Sequence, residues 1–272
     1  MINKHYKFKP IFFLFTGLLI VTGLHAQHLP EKQTTSIRAP STVKIDGKAD
    51  EWPEQLQAYN HATNIYYTIA NDDNYLYLCI EATQQAVINK IVNGGITFSI
   101  HKYGDKKDKN NVVSVTYPIF KGQQLFFSLT RNSVTGKNSE TTSADAVNTL
   151  IKTYNKRLEQ KCKSIGITGV PGLDDSVSVY NTDGIKAAGQ FNIKKVYVCE
   201  FALAIKYLKI AGSEPIKFSY HLVVNGATSR GREPMFVDDG RPHPPIMDKI
   251  FAMQAINDMA TDFWANYTMA GK

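Results

Sequence analysis

Residues 69–78 read Ile69-Ala70-Asn71-Asp72-Asp73-Asn74-Tyr75-Leu76-Tyr77-Leu78, two apolar and aromatic runs joined by four turn-forming residues. Asn and Asp side chains bond their own backbone readily, so the stretch is a strand, a tight turn and a second strand. The first strand begins near Asn64 and the second continues to Ala82. Side chains in the second alternate: Leu76, Leu78 and Ile80 share one face, while Tyr75, Tyr77, Cys79 and Glu81 share the other. Further out, short β-rich runs recur at 96–101, 112–117, 124–129, 176–180, 195–204, 216–224 and 262–269. Turn signals such as Asn93-Gly94-Gly95, Tyr103-Gly104-Asp105 and Thr182-Asp183-Gly184 separate them. Many short strands so punctuated predict an all-β fold, a β-sandwich with one to three inserted helices.

The helices announce themselves by a different period. Val147, Leu150, Ile151, Tyr154, Leu158 and Cys162 fall at mostly three- and four-residue steps, which predicts an amphipathic helix over about 144–162. Ser143 is placed to cap it, and Asp145 suits the positive end of its dipole. A shorter helix is expected over 84–92, capped by Thr83 and stopped at Asn93-Gly94. Ile246, Ile250, Met253, Ile256 and Ala260 place a third before the last strand.

Residues 1–26 join a basic start to an apolar run from Ile11 to Leu24 and end in Leu24-His25-Ala26. This is the pattern of a secretory signal peptide, and the run is shorter than the roughly 20 residues a spanning helix needs, so no stable membrane span is expected. The product is expected in the periplasm or outside the cell. Residues 27–40, polar and holding Pro30 and Pro40, read as a leader or linker, and 41–270 as one domain. The 272-residue chain carries a net charge of +7, but without Lys4, Lys7 and Lys9 it has 28 basic against 24 acidic residues. That small, scattered excess argues against a nucleic-acid partner. Three cysteines are too few for a disulfide framework and none forms a CxxC pair. Cys79 and Cys199 lie in strand-like runs and could be neighbours; buried thiols are the plainer reading.

The most specific pattern is Val43-Lys44-Ile45-Asp46-Gly47-Lys48-Ala49-Asp50-Glu51-Trp52, a strand entering an Asp-Gly turn with a large aromatic behind it. Together with 69–78, Gly184 to Gly189, Glu200-Phe201-Ala202-Leu203-Ala204-Ile205 and Val223-Val224-Asn225-Gly226, it resembles the family 9 carbohydrate-binding module-like domain. The resemblance implies a secreted β-sandwich that binds polysaccharide or oligosaccharide without catalysis and assists an enzyme the sequence does not specify. Two departures stand out. Lys206 follows Ala204-Ile205 where the family often has proline, and only Trp52 and Trp264 are present where sugar-binding members clamp a sugar between two tryptophans. Trp52 belongs to the fold motif and is expected as a buried anchor between the sheets. Trp264 shares its strand face with Asn266 and Thr268, so it is expected on an open face as the carbohydrate platform, with Arg230, Arg232 and Asp238 of a proline-rich loop as polar partners.

Other chemistry has less in its favour. Asp46, Asp50, Asp72 and Asp73 offer oxygens that would suit calcium, yet no contiguous calcium loop is present and turn acids ordinarily bond their own backbone, so no cofactor is expected, with calcium the one candidate. Some relatives of the fold hold haem through Met, His or Lys. His221 and Met235 would be the residues here, but nothing pairs them by spacing, and a haem-free protein is expected. A third reading is a structural or partner-binding surface module without a sugar site. Asp174 and Asp175 are neighbours in a loop rather than carboxylates across a cleft. No Gly-x-Ser-x-Gly elbow, HExxH motif or phosphate loop occurs, so no enzyme activity is expected.

Overall fold

The computed structural model describes residues 29–102, 111–129, 144–209, 216–228 and 240–271. In chain order these form β1 (Ala58–Asn60), β2 (Ile65–Asn71), β3 (Tyr75–Ala82), α1 (Gln85–Gly94), β4 (Ile96–His101), β5 (Val112–Ile119), α2 (Ala144–Lys161), β6 (Ser164–Thr168), β7 (Ser176–Ser178), β8 (Ile185–Phe191), β9 (Tyr197–Ala204), β10 (Lys217–Val224), α3 (Pro245–Asp258) and β11 (Thr261–Thr268). A five-stranded sheet runs β1-β2-β3-β9-β8 and a six-stranded sheet β11-β10-β4-β5-β6-β7, every pair antiparallel. The two sheets face each other across one apolar layer, a β-sandwich with three inserted helices.

Alternation decides which residues enter that layer. Leu76, Leu78 and Ile80 of β3 meet Phe98 and Ile100 of β4 and Tyr220 and Leu222 of β10, with the Tyr67 and Tyr220 hydroxyls bonded across the gap at 2.9 Å. Val87, Ile88, Ile91 and Val92 of α1 join the same layer, and Ile151, Tyr154 and Leu158 of α2 reach it beside β8. At the end of α1 the chain turns at Gly95, φ 80°, one residue later than the Asn93-Gly94 stop predicts. The N-cap position is Gln84 and makes no side-chain cap bond, so Thr83 does not serve as the cap. Ser143 lies outside the described residues.

The segment 124–129 departs from its expected strand in an informative way. Leu125 and Phe127 are buried and Phe126 is exposed, as alternation requires, but among the described residues no strand pairs with it. Its backbone is bonded by helix side chains instead. Asn93 of α1 donates to Leu125 O at 2.8 Å and accepts from Leu125 N at 2.7 Å, while Gln85 donates to Phe127 O and accepts from Leu129 N. Tyr154 of α2 holds Ser128 from the other side. Amide side chains thus do for this strip what a neighbouring strand would do. Residues 30–40, expected as a leader, also have partners. Gln33 donates to Ile69 O and accepts from Ile69 N, and Ala39 N donates to Asn71 O, so the segment lies along the edge of β2.

Register answers the cysteine question. Cys199 stands opposite Ile80 and Cys79 opposite Glu200, so the two thiols leave adjacent strands on opposite faces. All three cysteines are free and buried. Among the described residues no helix is long and apolar enough to cross a membrane.

Candidate functional site

A second, smaller apolar cluster covers the outer face of the five-stranded sheet, and the Asp46-Gly47 turn builds it. Gly47 takes φ 82°, a conformation open to glycine, and this aims its amide at β9. There Glu200 Oε2 accepts from Gly47 N at 2.9 Å and from Asp46 N at 3.2 Å, and Oε1 accepts from Trp52 Nε1 at 2.7 Å. Trp52 is 5% exposed and packs on Tyr77, Cys79, Val198 and Ala202. It is therefore buried as expected, but against the outside of one sheet rather than between the two, because its anchoring carboxylate faces outward. Burial pushes the Glu200 carboxyl up to about 7, against the pull of its three donors, Trp52 first.

The outer face of the six-stranded sheet is different in kind. Phe263, Ala265 and Tyr267 of β11 point inward, which leaves Asp262, Trp264 and Asn266 outside. Register then sets Trp264 beside His221 and Asn266 beside Ser219, with Ser99 and His101 of β4 one strand further and Ser114 beyond them on β5. The His221 ring stacks on the Trp264 ring system, centroids 4.2 Å apart and planes 7° from parallel, and its Nε2 is bonded to Asp262 Oδ2 at 2.7 Å. His101 meets Trp264 edge-on at 4.6 Å. Hydroxyl and amide pairs fill the rest: Ser219 donates to Asn266 at 2.7 Å, and Ser99–Ser114 and Thr97–Thr116 are each bonded at 2.9 Å. The arrangement is a half-buried aromatic platform set in a polar, hydroxyl-rich sheet. It offers an aromatic surface, one carboxylate and several donors and acceptors.

Trp264 thus occupies the polar-faced strand position that its alternation predicts, although His221 and His101 pack against it. Arg230, Arg232 and Asp238 lie outside the described residues, as does Met235. His221 is described, and its Nε2 is spent on Asp262. The four acids considered for calcium are not drawn together. Asp46 bonds Lys48 through Lys48 N at 3.0 Å and Lys48 Nζ at 3.1 Å. Asp72 accepts from Asn74 N, Tyr75 N and Tyr77 OH, closing its own turn, and Asp73 pairs with Arg38 at 2.8 Å. Asp50 is exposed beside a cavity of about 560 Å³ near Trp52. Among the described residues no three His, Cys, Asp or Glu side chains come together as a metal site.

No family model matches the chain, and no curated protein matches it. Among solved structures, a carbohydrate-binding module of family 9 from Caldicellulosiruptor kristjanssonii, solved in complex with glucose, is similar over 88% of this chain and 96% of that one, at 11% identity and TM-score 0.37. A likeness that distant assigns no ligand to this chain.

Proposed function

We propose that the protein binds carbohydrate without catalysis, on the outer face of its six-stranded sheet. The observation that carries the reading is the Trp264–His221 stack standing in a row of serine, threonine and asparagine side chains. A sugar ring has an apolar face for the aromatic pair and hydroxyls for Asp262, Asn266 and the serines. Asp262 orients the imidazole by holding Nε2, so the platform is set before a ligand arrives. Arg230, Arg232 and Asp238 follow β10, the strand of His221, in the sequence, and we assign them the outlying hydroxyls of a longer saccharide. Export, through removal of residues 1–26, places this face among extracellular or periplasmic polysaccharides.

The test is retention on insoluble polysaccharides, wild type against Trp264→Ala and Asp262→Ala, with soluble oligosaccharides as competitors. Retention should fall at least about tenfold in Trp264→Ala and less in Asp262→Ala, which keeps the indole. Full retention by a folded Trp264→Ala protein would remove this face from the reading.

A further inference from the structure

On another part of the molecule, α1, residues 124–126 and α3 enclose a cavity of about 350 Å³ whose contributors include Phe126, Ala227, Ile250, Met253 and Asn257. That volume is at the small end of ligand pockets, which span roughly 300–1,000 Å³. Its mouth is flanked by two large apolar side chains that face solvent, Phe126 at 54% and Met253 at 63% exposure. On the α1 side Asn93 is occupied with Leu125 and the Asn89 carbonyl, and Asn89 Oδ1 accepts from Gln85 Nε2. Those walls make little polar demand on an occupant.

The α3 end differs. Asn257 and Asp258 both contribute to the lining, and Asn257 Oδ1 is buried with no hydrogen-bond partner. No bond therefore fixes which end of that amide faces the cavity, and a donor placed there would draw the oxygen inward. Beside it, partial burial raises the Asp258 carboxyl above its ordinary value, against a hydrogen bond from Thr228. Asn257 Oδ1 is thus an acceptor without a donor, and the neighbouring Asp258 carboxyl has one in Thr228. Phe126 and, one turn before Asn257 on α3, Met253 supply the apolar part of the lining, and the Met253 thioether adapts to varied apolar shapes.

We propose that this cavity is a binding site for a small amphipathic molecule, an apolar body with one hydrogen-bond-donating end, of which a simple phenol is the type. The apolar body lies between Phe126 and Met253, and the donor reaches Asn257 and Asp258. The site is separate from the Trp264 face and does not depend on it.

The experiment titrates the full chain with p-cresol and with p-methylanisole, which keeps the shape and lacks the donor, following binding by protein-observed NMR and by thermal midpoint. Saturable binding of p-cresol is expected, about fivefold or more tighter than the ether. Met253→Glu and Phe126→Ser, both at exposed positions on the rim, should each weaken p-cresol binding about tenfold while leaving the unliganded midpoint within a degree or so of wild type. Absence of saturation, equal binding of the two compounds, or p-cresol binding that survives both variants would overturn the proposal. So would a loss of self-association in Met253→Glu without any phenol binding, which would make the apolar rim an interface between copies of the chain.

Discussion

Glu200 is the residue on which the N-terminal turn depends, since one buried carboxylate satisfies two turn amides and the Trp52 indole. Glu200→Gln keeps the volume but turns an NH2 group toward donors, and should cost about 1–3 kcal/mol in urea unfolding. The wild-type carboxyl also titrates near 7 when folded, above its ordinary 4.5. The folded protein thus holds this proton more tightly than the unfolded chain. That contribution is complete below about pH 4.5, shrinks as pH rises, and is gone above about 7, a span worth roughly 3 kcal/mol. Urea midpoints between these limits should slope downward in the wild type, and the slope should flatten in Glu200→Gln; equal slopes would refute the assignment. Trp52→Ala empties a buried indole site and should cost about 3–5 kcal/mol, whereas Trp264→Ala, half-exposed beside two histidines, should cost about 1–2 kcal/mol. Reversed costs would mean that Trp264 is the structural tryptophan of the two.

At the scale of elements, Asn93 is the test of the strip that helices hold in place of a strand. Asn93→Ala removes both its bonds to Leu125, so amide exchange at Leu125 should accelerate by at least about tenfold while exchange in β3 and β9 is unchanged. An unchanged Leu125 amide would show that Gln85 and Tyr154 suffice. Register makes a second prediction: Cys79, Cys162 and Cys199 are buried and free, so thiol reagent should find none in the native protein and all three after denaturation without reductant. The strands that the sequence makes legible are those with branched and aromatic side chains at period two, as in β3 and β10. Missed were the three-residue β1, and β6 and β8, where Gly166 and Gly189 interrupt the pattern; at Gly189 a Cβ would stand 2.3 Å from the Tyr197 hydroxyl, so the packing itself requires the small residue. The site divides in the same way. Alternation within β11 puts Trp264 on a polar face, but its neighbours His221, His101 and Ser219 come from strands 40 or more residues away in sequence, and only the pairing register brings them together.

At the scale of the whole molecule, bonds join the first and last described segments. Tyr267 OH donates to Ile37 O, Ala270 N donates to Asn71 Oδ1, and Asn71 Nδ2 returns to Ala270 O. A chain ended after Thr268 loses both Ala270 bonds, and limited proteolysis should then cut within residues 30–40 faster than in the full chain. An unaltered cleavage pattern would show that Gln33 and the β2 edge hold that segment alone. The same closure has an architectural meaning. Ile37 and Ala270, near opposite limits of the described domain, are both held within hydrogen-bonding reach of the Asn71 and Tyr267 pair. Entry and exit that lie side by side let a domain be spliced into a surface loop of a host protein, or be reopened elsewhere by joining its two ends with a short linker, without disturbing either sheet.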